Sequence, residues 1–225
     1  KESRNIKFAV GDIYYGRIKK LMPGLNAAFV DIGSEKEAFL HYLDLGSQFS
    51  SFNTFVQSAI AEPNKAPQLS KFKLLPDINK QGSIAETLTV GQHIIFQVSK
   101  EPISTKGPRL TTELTFTGRF MVLIPFSNKV SISQKIKSTQ EKMRLLIESI
   151  RPKNFGVIVR TSAEDKRVAE LNNEMNTLVK CWEDTIEKLQ KSESPALLHE
   201  EDSRAVGIIR DVFSPSFENI FVNDA

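Results

Sequence analysis

The chain has 225 residues, 40% of them hydrophobic and 25% charged, and its formal net charge is only +3. That composition is ordinary for a soluble globular protein with one or two cores of fair size, and net charge alone gives no argument for binding nucleic acid. A single cysteine, Cys181, excludes a disulfide framework or zinc cluster within the chain and fits a reducing, cytoplasmic setting; no apolar run approaches membrane-spanning length, and no stretch of the given sequence reads as a signal peptide.

Residues 12–42 read as three short strands. "DIYYGRIKKLM" runs into the Pro23-Gly24 turn, "NAAFVDIG" returns from it, and "EAFLHYLDL" follows a second turn at Gly33-Ser34. Residues 46–90 break the pattern. They are rich in Ser, Asn, Gln, Lys and Pro, and Phe49, Phe52, Phe55 and Phe72 are scattered through them, so the stretch reads as a long loop or insertion with one short helix. "HIIFQVSK" (93–100) is a strand, "EPISTKGPRL" a polar turn carrying Lys106 and Gly107, and "LTTELTF" another strand. Five strands with the long connection between the third and fourth is the plan of an OB-fold barrel.

A second unit begins near Gly118. "RFMVLIP" and "FGVIVRTS" are apolar strands, and "VSISQKI" is a shorter one. "TQEKMRLLIESI" places Met143, Leu146, Ile147 and Ile150 at helical spacing. The longest helix is expected from Ala163 to Lys191, with Val168, Leu171, Met175, Leu178, Trp182, Ile186 and Leu189 as its core-facing stripe. "SRAVGIIRDVF" reads as a further helix and "NIFVND" as a last strand. Charge is segregated within this half. Ser127–Arg160 holds eight Lys/Arg against two Glu, and Glu164–Asp202 holds five against eleven Asp/Glu. Solvated faces of two elements are the plain explanation.

Two places could carry chemistry. In a strand, alternate residues face opposite ways. Val30 and Ile32 then share one face with Ala38 and Leu40, while Phe29 and Phe39 stand on the outer face among polar or small neighbours. On the outer face of an OB barrel two such rings form a platform on which bases of single-stranded nucleic acid stack, and Lys106 in the nearby loop supplies backbone charge. The plain alternative is that a neighbour or the insertion covers both rings. The second place is "VIVRTSAEDKR". An apolar strand ends in Arg160-Thr161, and Ser162 with Asp165 reads as the capped start of a helix. Such a start favours an anion, Arg offers a fork to phosphate and Thr a further donor. Alternatively Arg160 pairs with Glu164 or Asp165. No carboxylate pair closes an apolar strand as a Mg²⁺ site would require, the three histidines (41, 93, 199) lack evident partners, and there is no phosphate-binding glycine loop.

These residues resemble the bacterial endoribonuclease E/G family along nearly the whole chain. "GDIYYGRIKKLMPGLNAAFVDIGSEKEAFLH" is similar to the family's opening, "KGPRLTTELTFTGRFMVLIP" to its K-G-x-x-L-T-T and G-x-x-x-V-L-x-P segment, and "GVIVRTSA" to its G-x-I-V-R-T-A. The resemblance implies an α+β chain: an OB-fold RNA-binding barrel with a long insertion, an α/β subdomain that senses a 5′-monophosphate, and part of an RNase H-like subdomain. In this numbering that gives a lead-in at 1–10, the barrel at 11–116 with its insertion near 46–90, the sensor at 117–195, and the RNase H-like start at 196–225. It implies RNA contacts at Phe29, Phe39 and Lys106, and a phosphate pocket of Gly118, Val122, Arg160 and Thr161. A basic residue of the family's pocket falls on Gln134, with Lys135 beside it as a substitute.

The family's Mg²⁺-binding aspartates and its zinc link lie beyond Ala225. The expected role is therefore RNA binding and 5′-end sensing for a single-strand-specific endoribonuclease of RNA processing and decay. This chain would hold no catalytic residue and no metal, and Mg²⁺ would belong to the full-length enzyme. The expected partners are single-stranded RNA with a 5′-monophosphate, the rest of the catalytic domain and, in full length, a second copy. Two rival classes are a non-catalytic OB-fold module of a translation or ribosome-assembly factor, and a protein-binding scaffold.

Overall fold

A computed structural model describes residues 8–63, 65, 67–136, 140–213, 217–219 and 221. The lead-in before residue 8 and most of the last expected strand, "NIFVND", lie outside them. The described elements, in chain order, are β1 (Ile13–Met22), β2 (Ala27–Asp31), β3 (Ala38–His41), α1 (Phe49–Ala61), α2 (Ile84–Thr87), β4 (His93–Lys100), β5 (Arg109–Thr111), β6 (Phe116–Thr117), β7 (Met121–Pro125), β8 (Val130–Ile132), α3 (Gln140–Ile150), β9 (Phe155–Val159), α4 (Val168–Lys191), β10 (Ala196–His199) and α5 (Arg204–Val212).

The first five strands close on themselves. β2 pairs with β1 and β3, β5 lies between β3 and β4, and β4 returns to β1. Only the β3–β5 contact is parallel. The closure depends on β1 being long enough to serve two neighbours. Residues 13–17 pair with β4 and residues 17–22 with β2, with a bulge between Ile18 and Lys20. Gly16 sits where the strand changes partners, and a Cβ there would lie 2.7 Å from the Asp31 carbonyl oxygen. β10 takes the edge of β1 that β2 leaves, pairing at Ile13–Tyr15. The second sheet has the order β6-β7-β9-β8. Its inner face (Met121, Leu123, Phe155, Val157, Val159) is buried, and α4 packs over β6 and β7.

Three expectations need correction. The stretch 46–90 is more than a loop with one short helix. It contains the 13-residue helix α1, which buries Phe49, Phe52, Phe55, Val56 and Ala59. Those residues recur every three or four positions, so the phenylalanines are a helical core stripe. The extended remainder is tied down by Asn26, whose side chain donates to the Gly82 carbonyl (3.1 Å) and accepts from the Ile84 N–H (2.7 Å). The buried Asn154 amide also anchors it, donating to the carbonyls of Leu69 (2.8 Å) and Phe72 (2.7 Å). Next, "LTTELTF" is not one strand. β5 ends at Thr111, and Phe116 already belongs to the second sheet. Lastly, α4 begins at Val168 rather than Ala163, and Val168 itself is exposed. The Arg167 N–H donates to the Glu170 carboxylate at 3.1 Å, which satisfies one donor at the helix start.

One continuous core joins both sheets. Phe55 of α1, Phe126 after β7 and Trp182 of α4 form a triangle with ring centroids 5.5–5.7 Å apart. Phe55→Ala should therefore lower stability by about 3–5 kcal/mol, as for a full core position. Urea unfolding checks this, and a loss under 1 kcal/mol would mean that the insertion is a dispensable loop.

Candidate nucleic-acid interface

β2 and β3 are in antiparallel register with Phe29 directly opposite Phe39. The two rings meet edge to face at 6.0 Å, are half-buried, and neither packs against the core. The register continues across the barrel. Lys20 of β1 faces Phe29, Arg109 of β5 faces Phe39, and Lys100 of β4 faces Arg109. Five strands thus carry one transverse row of lysine, two aromatics, arginine and lysine. With about 4.8 Å between strands the row spans roughly 19 Å. Arg109 is committed to Asp44 by a bidentate pair (2.8 and 3.2 Å). Lys20 and Lys100 are exposed, and among the described residues neither makes an ion pair.

Lys106 lies in the β4–β5 connection, which turns back on itself through reciprocal backbone bonds with Ile103 (2.9 and 3.1 Å). The loop is held against β3. The Phe39 N–H donates to the Pro108 carbonyl (2.8 Å), and Lys36 donates to the Ser104 carbonyl. Gly107 permits this approach, since a Cβ there would lie 2.1 Å from the Glu37 carbonyl oxygen. Lys106 is exposed beside the aromatic pair's strand.

The second place is a groove of about 450 Å³ lined by Ile132, Ser133, Gln134, Lys135, Ile158, Val159, Arg160 and Thr161. The turn carrying Gln134 and Lys135 is pinned over the end of β9. The Ser133 N–H donates to Val159 (2.9 Å), and Ile136 is fully buried. Gly118 and Val122 lie at the adjoining edge: Arg160 Nη1 donates to the Gly118 carbonyl (2.9 Å), and Val122 pairs with Ile158. The expected helix start does not exist here. Thr161–Ala163 is a single 3-10 turn, and the Ser162 hydroxyl bonds the Arg119 carbonyl instead of capping a helix. The Arg160 guanidinium pairs with neither Glu164 nor Asp165 but with Asp211 of α5 (2.7 Å). This hydrogen bond holds the Asp211 carboxyl below its ordinary pKa.

A further contact was not legible in the sequence. The N–H groups of Arg119, Phe120 and Met121 all point at the Glu174 carboxylate of α4 (2.7, 2.8 and 3.0 Å). Successive backbone N–H groups of this kind form an anion-binding concavity, and an internal carboxylate fills it. A second cavity, of about 400 Å³, adjoins the groove and includes none of the barrel-row residues. It begins at Leu45 and Gly46, next to the Asp44 that holds Arg109, crosses Phe52, Ile124 and Phe126, and shares Ile158 with the groove. Among the described residues no three His, Cys, Asp or Glu side chains are grouped to hold a metal, and no helix is long and apolar enough to cross a membrane. Burial raises the Cys181 thiol above its ordinary pKa, away from nucleophilic character.

A sequence profile of the Ribonuclease E/G family matches residues 115–225. The chain is 34% identical to a "Ribonuclease E" of Nostoc sp. over 96% of its own length and 28% of that protein's. It is 34% identical to a "Ribonuclease G" of Haemophilus influenzae over 95% of the chain and 40% of the relative. It is 31% identical to a "Ribonuclease E/G-like protein" of Pyropia yezoensis over 97% of the chain and 38% of the relative. The chain therefore spans well under half the length of these relatives.

Removing the Glu174 carboxylate leaves three backbone donors without their acceptor. Glu174→Ala should cost about 1–3 kcal/mol. Faster amide hydrogen exchange should be confined to residues 119–121, and unchanged exchange there would show that water replaces the carboxylate without loss.

Proposed function

The chain belongs to the ribonuclease E/G family, and on that premise we propose that it is the part of such an enzyme that holds single-stranded RNA and reads its 5′ end. The barrel is the RNA-binding module, and the second sheet with its helices is the 5′-end sensor. The RNase H-like subdomain would begin near residue 196. The observation that carries the reading is the outward row Lys20–Phe29–Phe39–Arg109–Lys100. Aromatic faces accept any base, and flanking cations follow a sugar-phosphate backbone, which suits a strand of mixed sequence. Lys106 adds charge at the row's edge. Lys20 and Lys100 extend the set drawn from the sequence.

The terminal phosphate sits in the groove at Arg160 and Thr161. Lys135 supplies the second positive charge where Gln134 has none. The backbone at Gly118 and the Val122 side chain bound the site at the neighbouring edge. Mg²⁺ belongs to the proposed full-length enzyme. This chain is assigned binding, and the chemical step is assigned to the proposed full-length enzyme.

Fluorescence anisotropy with short RNAs bearing a 5′-monophosphate or a 5′-hydroxyl tests both halves. Phe29→Ala and Phe39→Ala should each weaken both RNAs by about 1–3 kcal/mol. Lys20→Ala and Lys100→Ala should each reduce the salt slope by about 0.7. Arg160→Ala should abolish the preference for monophosphate while sparing the hydroxyl RNA. A preference that survives Arg160→Ala would refute the sensor assignment, and binding indifferent to both phenylalanines would refute the platform.

A further inference from the structure

We propose that Asp211 is a positioning residue for the 5′-phosphate pocket, fixing the Arg160 guanidinium from α5 and so making that helix part of the pocket. The inference rests on the 5′-end reading and deepens it.

Arg160 follows the last residue of β9, and its own N–H is fixed on the Phe120 carbonyl (2.8 Å). The side chain beyond has several rotatable bonds and opens onto a shallow groove. A guanidinium recognises phosphate well only when its planar fork is already oriented. Two contacts supply that orientation. Nη1 donates to the Gly118 carbonyl (2.9 Å), and Nη2 donates to Asp211 Oδ2 (2.7 Å), a charge-assisted bond. Neither Gly118 nor Asp211 lines the groove, whereas Arg160 and Thr161 do. The two anchors therefore grip the guanidinium from outside the ligand space. A phosphate can take the remaining N–H donors without displacing either.

Asp211 can act this way because α5 is itself held in place. Arg210 donates to the Thr117 carbonyl (3.1 Å) and reaches Asp202 (3.1 Å) and Glu201 (3.4 Å). Arg119 donates to the Phe213 carbonyl (2.7 Å). These contacts dock α5 along the β6–β7 turn that also carries Gly118, so both anchors of Arg160 belong to one assembly. The apolar side chains of α5, among them Val206, Ile208 and Val212, remain exposed. Polar contacts of this kind, centred on three arginines, dominate its docking.

The test is a double-mutant cycle on the 225-residue chain, read as the ratio of affinities for 5′-monophosphate and 5′-hydroxyl RNA. Asp211→Ala should lower that ratio several-fold and leave hydroxyl RNA unaffected. Asp211→Asn, which keeps an acceptor, should restore part of it. Asp211→Ala should add nothing in the Arg160→Ala background. Nitrogen NMR of the Arg160 side chain supplies a readout that a merely structural role would not move: guanidinium rotation should be slow in the wild type and fast in Asp211→Ala. If Arg160→Ala abolishes the preference but Asp211→Ala leaves it unchanged, the positioning role is wrong and the sensor reading stands. If Asp211→Ala raises the ratio, Asp211 competes with phosphate and the proposal is overturned. If Arg160→Ala has no effect, the underlying sensor reading falls.

Discussion

One buried aromatic junction ties the insertion helix, the second sheet and the long helix together. Phe55 comes from the insertion helix, Phe126 from the turn after β7, and Trp182 from the long helix, and each ring touches the other two. Phe52 and Phe72 pack edge-on against Phe126, and Phe116 packs against Trp182. Such pairs are worth about 0.5–1.5 kcal/mol each beyond burial. More important, rings packed at crystal-like density leave few alternative arrangements. The helix α1, the second sheet with its groove and α4 are therefore held at one fixed relation, and the barrel joins them through the same continuous core. A single strand could span barrel and groove without either having to find the other.

Carboxylates do the corresponding work on the polar side. Asp44 holds Arg109, Glu174 gathers three turn N–H groups, and Asp211 holds Arg160. Part of the acidic segment Glu164–Asp202 thereby has an internal use that a reading of charge alone does not reveal. Glu174 and Glu201 face inward to backbone N–H groups and to Arg210 respectively, rather than forming a solvated face. The lysines of the barrel row are left without carboxylate partners among the described residues, which keeps them available to an anion from outside.

The strands were legible because half-buried strands alternate and their turns carry Pro-Gly and Gly-Ser. The barrel plan followed from their spacing. The insertion helix was legible only as one short helix within 46–90, not in its length or place, although Phe49, Phe52, Phe55, Val56 and Ala59 hold a clear three-and-four rhythm. Its polar positions are Ser, Asn, Thr and Gln, which read equally well as loop, and Pro-rich sequence follows at once. The outward direction of Phe29 and Phe39 came from alternation alone, but Lys20 and Lys100 needed the cross-strand register. Arg160 and Thr161 stood out as polar residues ending an apolar strand. The partner of Arg160 lies 51 residues further on, beyond the reach of any local pattern, and the nearer acids Glu164 and Asp165 were misleading.

The central claim is that one RNA strand occupies both regions together. Photo-crosslinking of a 5′-monophosphorylated, uridine-rich RNA to the intact chain, with mass-spectrometric mapping of the adducts, tests it most directly. Uridines near the 5′ end should attach within the groove around residues 132–135 and 158–161, and uridines further along should attach at Phe29 or Phe39. Adducts confined to the exposed side of α4 or α5, with none on the barrel row, would contradict the account.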